Sequence, residues 1–151
     1  MITAQVESFT EQETELRGLI DRHYEELSLH KGRYPLSPQW HVYREREQRD
    51  ELVFVTLRRD GQMIGYWITF VTPGLHYSTC LTAIMDIWFV SPDHVRGKAP
   101  LVLARAVKRE LTRRGVNLWF AGSKNHKPCG PFLERLGFEE VETYYSMWLG
   151  D

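Results

Sequence analysis

One carboxylate stands alone in an apolar run. Residues 81–90 read Leu-Thr-Ala-Ile-Met-Asp-Ile-Trp-Phe-Val, and Asp86 is the only charged residue among them. A buried carboxylate is costly unless paired, and burial raises its pKa from about 3.9 toward values where it can take up a proton. Asp86 is therefore a candidate base or ligand for an ammonium group. The alternative is a structural carboxylate that pairs with a neighbouring base or caps a loop. Directly after it, Ser91-Pro92-Asp93-His94-Val95-Arg96-Gly97-Lys98 opens into a basic segment. A strand–loop–helix there leaves free N–H groups and the positive end of a helix dipole facing an anion. Arg96 and Lys98 add charge where a pyrophosphate would sit. Any such unit has free amides, so this feature alone names no ligand.

Charge is unevenly spread. Residues 94–127 carry nine Lys or Arg against one acid, Glu110, although the whole chain has a net charge of −1. A local basic segment in a neutral protein points to a phosphorylated cofactor or a nucleic acid, and the alternative is a solvated helix face. The composition, 42% apolar, 13% aromatic and 26% charged, excludes a disordered or collagen-like chain. With 151 residues the chain predicts one domain over 1–151. No apolar run reaches the ~18 residues of a membrane span, and no membrane partner is expected. The start, Met1-Ile2-Thr3-Ala4-Gln5, does not read as a signal peptide. Cys80 and Cys129 form no close-spaced pair, which fits a reduced cytoplasm. Cys129, in Lys127-Pro128-Cys129-Gly130-Pro131, reads as packing and not as a nucleophile. The six histidines show no metal-ligand spacing, so no metal is predicted.

The elements that must position these residues follow from pattern. Residues 2–8 read as an edge strand. Thr10 and Glu13 form a capping box, and Leu16, Leu19, Ile20, His23 and Leu27 continue at helical spacing toward an end near His30-Lys31-Gly32. Ser37-Pro38 opens a short polar helix to about Arg49. Residues 51–59 and 62–72 are strands joined by the hairpin signal Asp60-Gly61. Residues 81–90, apolar on both faces, read as a central strand. On a regular strand Asp86 shares a face with Ile84, Trp88 and Val90. A helix over 98–114 ends at Gly115. A strand at 116–121, a short helix ending at Leu136-Gly137 and a last strand over 138–149 complete the chain. Three antiparallel strands followed by a helical crossover to a parallel strand make a mixed α/β sheet.

The residues resemble the GNAT N-acetyltransferases. That family's cofactor motif is Arg or Gln, two residues, Gly, one residue, then Gly or Ala, after a strand ending in Val-x-Pro. Here Val90-Ser91-Pro92 is followed by Arg96-Gly97-Lys98-Ala99-Pro100-Leu101. Asn125 and Phe132-Leu133-Glu134-Arg135-Leu136-Gly137-Phe138 match a later signature, and the element order matches over nearly the whole chain. Four stretches look like the small GNAT proteins of tailed bacteriophages: His23-Tyr24-Glu25-Glu26, Gly65-Tyr66, Leu75-His76-Tyr77 and Asp86-Ile87-Trp88. That implies a host bacterial cytoplasm.

The resemblance implies a mixed, mostly antiparallel sheet with splayed fourth and fifth strands, and transfer of acetyl from acetyl-CoA directly to a primary amine. It implies that Trp88, Phe89 and Val90 hold pantetheine and the acetyl oxygen through their backbone. Arg96, Gly97, Lys98, Ala99 and Leu101 would hold the phosphates, and Asn125 the pantetheine arm. Asp86 would be the catalytic base. His23, on the apolar stripe of the first helix, reads as a core histidine or, with Glu26, as part of the acceptor wall. His76 and Tyr77 are acceptor-pocket candidates, as are Tyr34 and Trp40 for its floor. The sequence departs from the family at Ala99, Pro100 and Leu101, and at Leu133, where the family often has a Tyr that protonates the leaving thiolate. Tyr144, Tyr145 and Ser123 are stand-ins for that acid. The acceptor is a small-molecule, protein or nucleobase amine, with DNA as one partner class, and the chain is a monomer or homodimer. A non-catalytic acyl-CoA-binding or interaction module on the same fold is the competing reading.

Overall fold

The β-branched and aromatic residues of 52–90 fold as an antiparallel meander. In the computed structural model, which describes residues 1–28, 32–33 and 35–150, five strands form one sheet in the order β1-β2-β3-β4-β5. They are β1 (Ile2–Val6), β2 (Leu52–Arg59), β3 (Gln62–Pro73), β4 (Leu81–Val90) and β5 (Leu118–Phe120). The first three pairings are antiparallel and β4–β5 is parallel, as the expected crossover requires. The β2–β3 turn uses positive φ at both Asp60 and Gly61, 51° and 84°, the conformation a tight two-residue hairpin needs.

Helices cover both faces. α3 (Ala99–Arg113) and α4 (Gly130–Arg135) pack on one face, where Val53, Val55, Trp67 and Val90 meet Leu103, Val107 and Leu133. α1 (Phe9–Leu27) and α2 (Trp40–Gln48) cover the other, where Phe9 and Leu16 meet Phe54, Tyr66, Ile68 and Phe89. Both faces of β2 and β3 are therefore buried, which explains their unbroken apolar character. Among the described residues no helix is long and apolar enough to cross a membrane.

Four expectations are corrected. The cap of α1 is Ser8, not Thr10: Ser8 Oγ accepts from Glu11 N–H. Glu47 of α2 then accepts hydrogen bonds from the Phe9 and Thr10 amides, while Glu13 pairs with Arg17 and Arg44. A carboxylate from a distant helix has displaced the local capping box, which no local pattern encodes. α1 ends at Leu27 rather than near residue 32; His30 and Lys31 lie outside the described residues, as does Tyr34. α2 starts at Trp40, two residues beyond Pro38. The last strand does not form: residues 138–150 join no ladder, and Glu139 to Gly150 are all exposed.

A fifth correction bears on the site. The β3–β4 ladder pairs Ile68 with Ile87 and Thr69 with Met85, leaving Asp86 as the extra residue of a β-bulge. The bulge breaks the alternation. Asp86 reaches Tyr43 on the α1/α2 face, whereas Trp88 and Val90 pack on the α3/α4 face. Asp86 therefore does not share a face with Trp88 and Val90.

Candidate active site

β4 and β5 pair only from Thr82 with Leu118 to Ile84 with Phe120. Beyond Ile84 the strands part, so Met85 to Val90 present an edge that no strand covers among the described residues. The bulge at Asp86 lies where the parting begins, and a bulge bends its strand and increases the local twist. Aromatic rings hold the gap open. Trp88 stacks between Trp67 and Phe132, at ring-centre separations of 5.3 and 5.6 Å, and Trp119 of β5 packs on Trp67 and Phe138. Closing the strands would require moving this cluster, whose rings contribute both burial and preferred stacking geometry.

The gap is a cleft of about 430 Å³ lined by the whole Met85–Val90 edge and, opposite, by Gly122 to Lys124 and Lys127 to Cys129. Pro92 and Val95 of the following loop also line it. Arg96, Gly97 and Lys98 are exposed there, and a side chain added at Gly97 would meet nothing within 4 Å. Lys98 is the cap residue of α3 and gives the helix no side-chain hydrogen bond, so no side chain of its own cap competes for the first-turn amides. Ala99 and Pro100 are buried against the core, and Leu101 is half-buried. Proline in the first turn removes one donor without breaking the helix.

A second groove, of about 380 Å³, runs between α1, residues 35–38 and α2, lined by Ile20, Tyr24, Leu36 and Tyr43 among others. His23, Ile87 and Lys124 line both spaces, so the two meet there. Asp86 is at this junction and is half-buried. Its Oδ2 accepts a 2.5 Å hydrogen bond from Tyr43 Oη. Burial pushes its pKa above the ordinary carboxylate value, and the Tyr43 hydrogen bond and the charge of Arg46 pull part of the way back. Tyr43 is itself held by stacking on Phe9 at 5.0 Å.

His23 is only 6% exposed. Its Nδ1 shares a 2.5 Å hydrogen bond with Tyr66 Oη, and its ring stacks on Phe89 at 5.1 Å. Burial, with the charges of Lys124 and Lys127, lowers its pKa to about 4, so the ring is neutral at pH 7. It is thus both a satisfied core histidine and a wall of the junction. Glu26 lines the cleft and pairs with Lys127 at 2.5 Å, linking α1 to the loop before α4.

Other expected residues lie elsewhere. Asn125 is exposed in the turn between Lys124 and Lys127 and does not line the cleft. His76 and Tyr77 sit on the exposed loop before β4 and line neither space. Trp40 packs at the edge of the Phe9 core, with Arg17 over its ring. Tyr144 and Tyr145 are exposed on the C-terminal segment. Ser123 does line the cleft, and its Oγ accepts from the Cys129 amide. Burial raises the Cys129 thiol pKa, which disfavours a thiolate nucleophile. Tyr43 and Lys124 are site residues to which sequence reasoning assigned no site role, and Tyr66 stood there only within the Gly65-Tyr66 stretch of the resemblance. The i, i+3 pair Trp40 and Tyr43 on one face of a polar helix is the signal that could have found Tyr43.

No protein-family model and no curated protein matches the sequence. Solved structures do match the fold. The ribosomal-protein-alanine N-acetyltransferase of Brucella melitensis aligns over 100% of this chain and 99% of its own, with a TM-score of 0.77 and 14% identity. An aminoglycoside acetyltransferase from an uncultured soil metagenomic sample aligns over 99% of both chains, with a TM-score of 0.76 and 14% identity. The aminoglycoside acetyltransferase AAC(6')-Iy, solved with a CoA-linked bisubstrate analogue, covers 100% of this chain and 99% of its own at a TM-score of 0.69 and 19% identity. The chain has the GNAT fold that these acetyltransferases share.

Proposed function

We propose that the protein is an acetyl-CoA-dependent N-acetyltransferase that moves acetyl directly to a primary amine. The observation that carries this reading is the uncovered β4 edge from Met85 to Val90, facing an open cleft whose lining runs on to Pro92 and Val95 of the loop that leads into α3. An edge of unpaired N–H and C=O groups matches the amide-bearing pantetheine arm, as a sheet edge matches an added strand. The backbone of Trp88, Phe89 and Val90 holds that arm and donates to the carbonyl oxygen as it becomes an oxyanion. The amides of Gly97, Lys98, Ala99 and Leu101, with the charges of Arg96 and Lys98, bind the diphosphate.

The acceptor amine enters from the α1/α2 groove, past His23 and Glu26. Asp86 takes the ammonium proton, directly or through a water, leaving a lone pair to attack the thioester carbon. A C–N bond forms, the nitrogen releases its second proton to water, the C–S bond breaks, and CoA leaves as its thiolate. Leu133, 6% exposed, carries no acid group, so the thiolate departs without a dedicated donor at that position. A CoA thiolate leaves readily near neutral pH, and positioning supplies much of the remaining acceleration.

The whole of 1–151 acts as one domain in this reading, as in the small bacteriophage-type GNAT proteins of a bacterial cytoplasm. The competing module reading is favoured by one observation: Pro100 removes one donor at the phosphate end. Nucleic-acid engagement is weakened because Glu110 and Asp50 together pair with Arg113 and Arg114, and Glu26 pairs with Lys127. Calorimetry with acetyl-CoA, followed by thiol release across an amine panel, tests the proposal. Binding with turnover supports it. Binding without turnover of any amine class favours the module, and no binding removes the proposal.

A further inference from the structure

Charge is sparse in the groove that leads to Asp86. Ile20, Leu36, Pro38 and Tyr43 are among its walls, and its lining holds no Asp or Glu among the described residues. The one cationic side chain that lines it is Lys124, exposed on the turn before α4. At the junction with the cleft, Glu26 and Lys127 pair with each other. That leaves one carboxylate, Asp86, and one cation, Lys124, on the same space without a salt-bridge partner among the described residues.

His23 supplies a further donor. Tyr66 is fully buried, and its hydroxyl lies 2.5 Å from His23 Nδ1. A buried phenol O–H needs an acceptor, and no other is bonded to it among the described residues. The hydroxyl therefore donates to Nδ1. The ring is neutral at pH 7, because burial and the charges of Lys124 and Lys127 lower its pKa to about 4, so its single proton sits on Nε2. His23 lines both groove and cleft, and Nε2–H has no partner among the described residues. The ring offers the junction a hydrogen-bond donor and not a second base.

We propose that the groove takes an amino acid with an apolar side chain, and that this amino acid is the acetyl acceptor. Its ammonium faces Asp86, its carboxylate faces Lys124 and His23 Nε2–H, and its side chain lies between α1 and α2. Opposite charges on a short molecule meet opposite charges at one junction, and a carboxylate gains from a cation and an N–H together. A polycation fits poorly, since each further ammonium would lose hydration in a groove without a carboxylate. An amine without the carboxylate leaves Lys124 and Nε2–H unmatched. The apolar walls favour a hydrocarbon or aromatic body over a sugar. The transfer step rests on the function proposed above, whereas binding of the amino acid needs no cofactor.

The test compares L-phenylalanine and L-leucine with phenethylamine and isoamylamine, the same bodies without the carboxylate, and with spermidine. Thiol release from acetyl-CoA gives kcat/KM for each, and calorimetry gives binding to the full chain without cofactor. The expected kcat/KM of the amino acids exceeds that of the matched amines roughly tenfold or more, with spermidine the poorest. Lys124→Glu reverses the charge of an exposed side chain, so the fold is kept, and it is expected to cut the ratio of amino acid to matched amine roughly tenfold. The ratio is read within one variant, so any change in cofactor binding cancels from it. Turnover of spermidine or of the plain amines at or above the amino acids overturns the proposal and leaves the acetyl-transfer reading standing. So does a ratio that Lys124→Glu leaves unchanged. Amino acids that bind in calorimetry more tightly than the matched amines, with no amine of the panel acetylated, uphold the site and count against acetyl transfer. Amino acids that neither bind nor turn over overturn the proposal.

Discussion

Tyr43 Oη donates a 2.5 Å hydrogen bond to Oδ2 of Asp86, tying the middle of α2 to the bulge of β4. The bulge matters because it turns the carboxylate away from the face of Trp88 and Val90 and toward the groove beside α1 and α2. A regular strand would have aimed it into the α3/α4 core. Tyr43 then does two things at once. It lowers the cost of burying an ionised carboxylate, and it fixes the direction of one oxygen, leaving the other for a proton.

Removing the charge separates function from stability. Asp86→Asn keeps the size of the side chain and can still accept from Tyr43, but it cannot take a proton. We expect kcat to fall roughly 100- to 10,000-fold, with acetyl-CoA affinity unchanged. Burial raises the pKa of Asp86, so ionisation opposes folding at neutral pH. The melting temperature of the variant at pH 7 should therefore equal or exceed that of the wild type. Steady-state kinetics and a thermal melt check both halves.

Tyr43→Phe acts on the same carboxylate from the other side. The tyrosine hydrogen bond lowers the Asp86 pKa, so its loss lets burial raise that pKa further. The acidic limb of the kcat/KM profile should move to higher pH, with a stability loss of about 1 kcal/mol. A pH–rate profile of wild type and variant measures the displacement. An unmoved limb would detach Tyr43 from the reaction.

His23 makes a prediction about stability alone. Its pKa falls from 6.5 to about 4 in the folded chain, first through burial and then through Lys124 and Lys127. The unfolded chain takes up this proton as pH drops below 6.5, and the folded chain does not. The stabilisation is therefore present above pH 6.5 and is lost as pH falls toward 4, by roughly 3 kcal/mol over the window. Glu7, Glu47 and Glu110, all held below their ordinary value of 4.5, contribute mainly under that pH. Urea unfolding between pH 7 and 4.5 should show the slope in wild type and a flatter one in His23→Phe.

Gly65 tests the shape of the cleft. It faces Val90 across the β3–β4 ladder, and a Cβ there would lie 2.6 Å from the Phe89 carbonyl oxygen. Gly65→Ala must push the end of β4 aside, at a cost of about 1–3 kcal/mol. Because that end is the proposed pantetheine rail, acetyl-CoA affinity should fall along with stability. Calorimetry and denaturant titration read the two effects.

Most of the scaffold was legible because local signals agreed with one another. Asp60-Gly61 marked a hairpin that formed with both residues at positive φ, and the apolar run 81–90 marked β4 to the residue. The parting of β4 and β5 came from a family resemblance and is present in the structure beyond Ile84. What could not be read depends on contacts distant in sequence. Glu47 caps α1 from another helix, the bulge at Asp86 is set by the register of β3, and the Tyr43–Asp86 bond spans 43 positions. The segment 138–149 carries a strand pattern, but a pattern states a capacity to pair and not the partner.

The central claim is that the uncovered β4 edge receives the cofactor arm. Hydrogen exchange of the full chain with and without saturating acetyl-CoA tests it most directly. The account predicts that the ligand slows exchange within Met85–Val90 and at residues 97–101, and leaves β1 and β2 as they were. Acetyl-CoA that binds without protecting the β4 edge, or that does not bind, would contradict it.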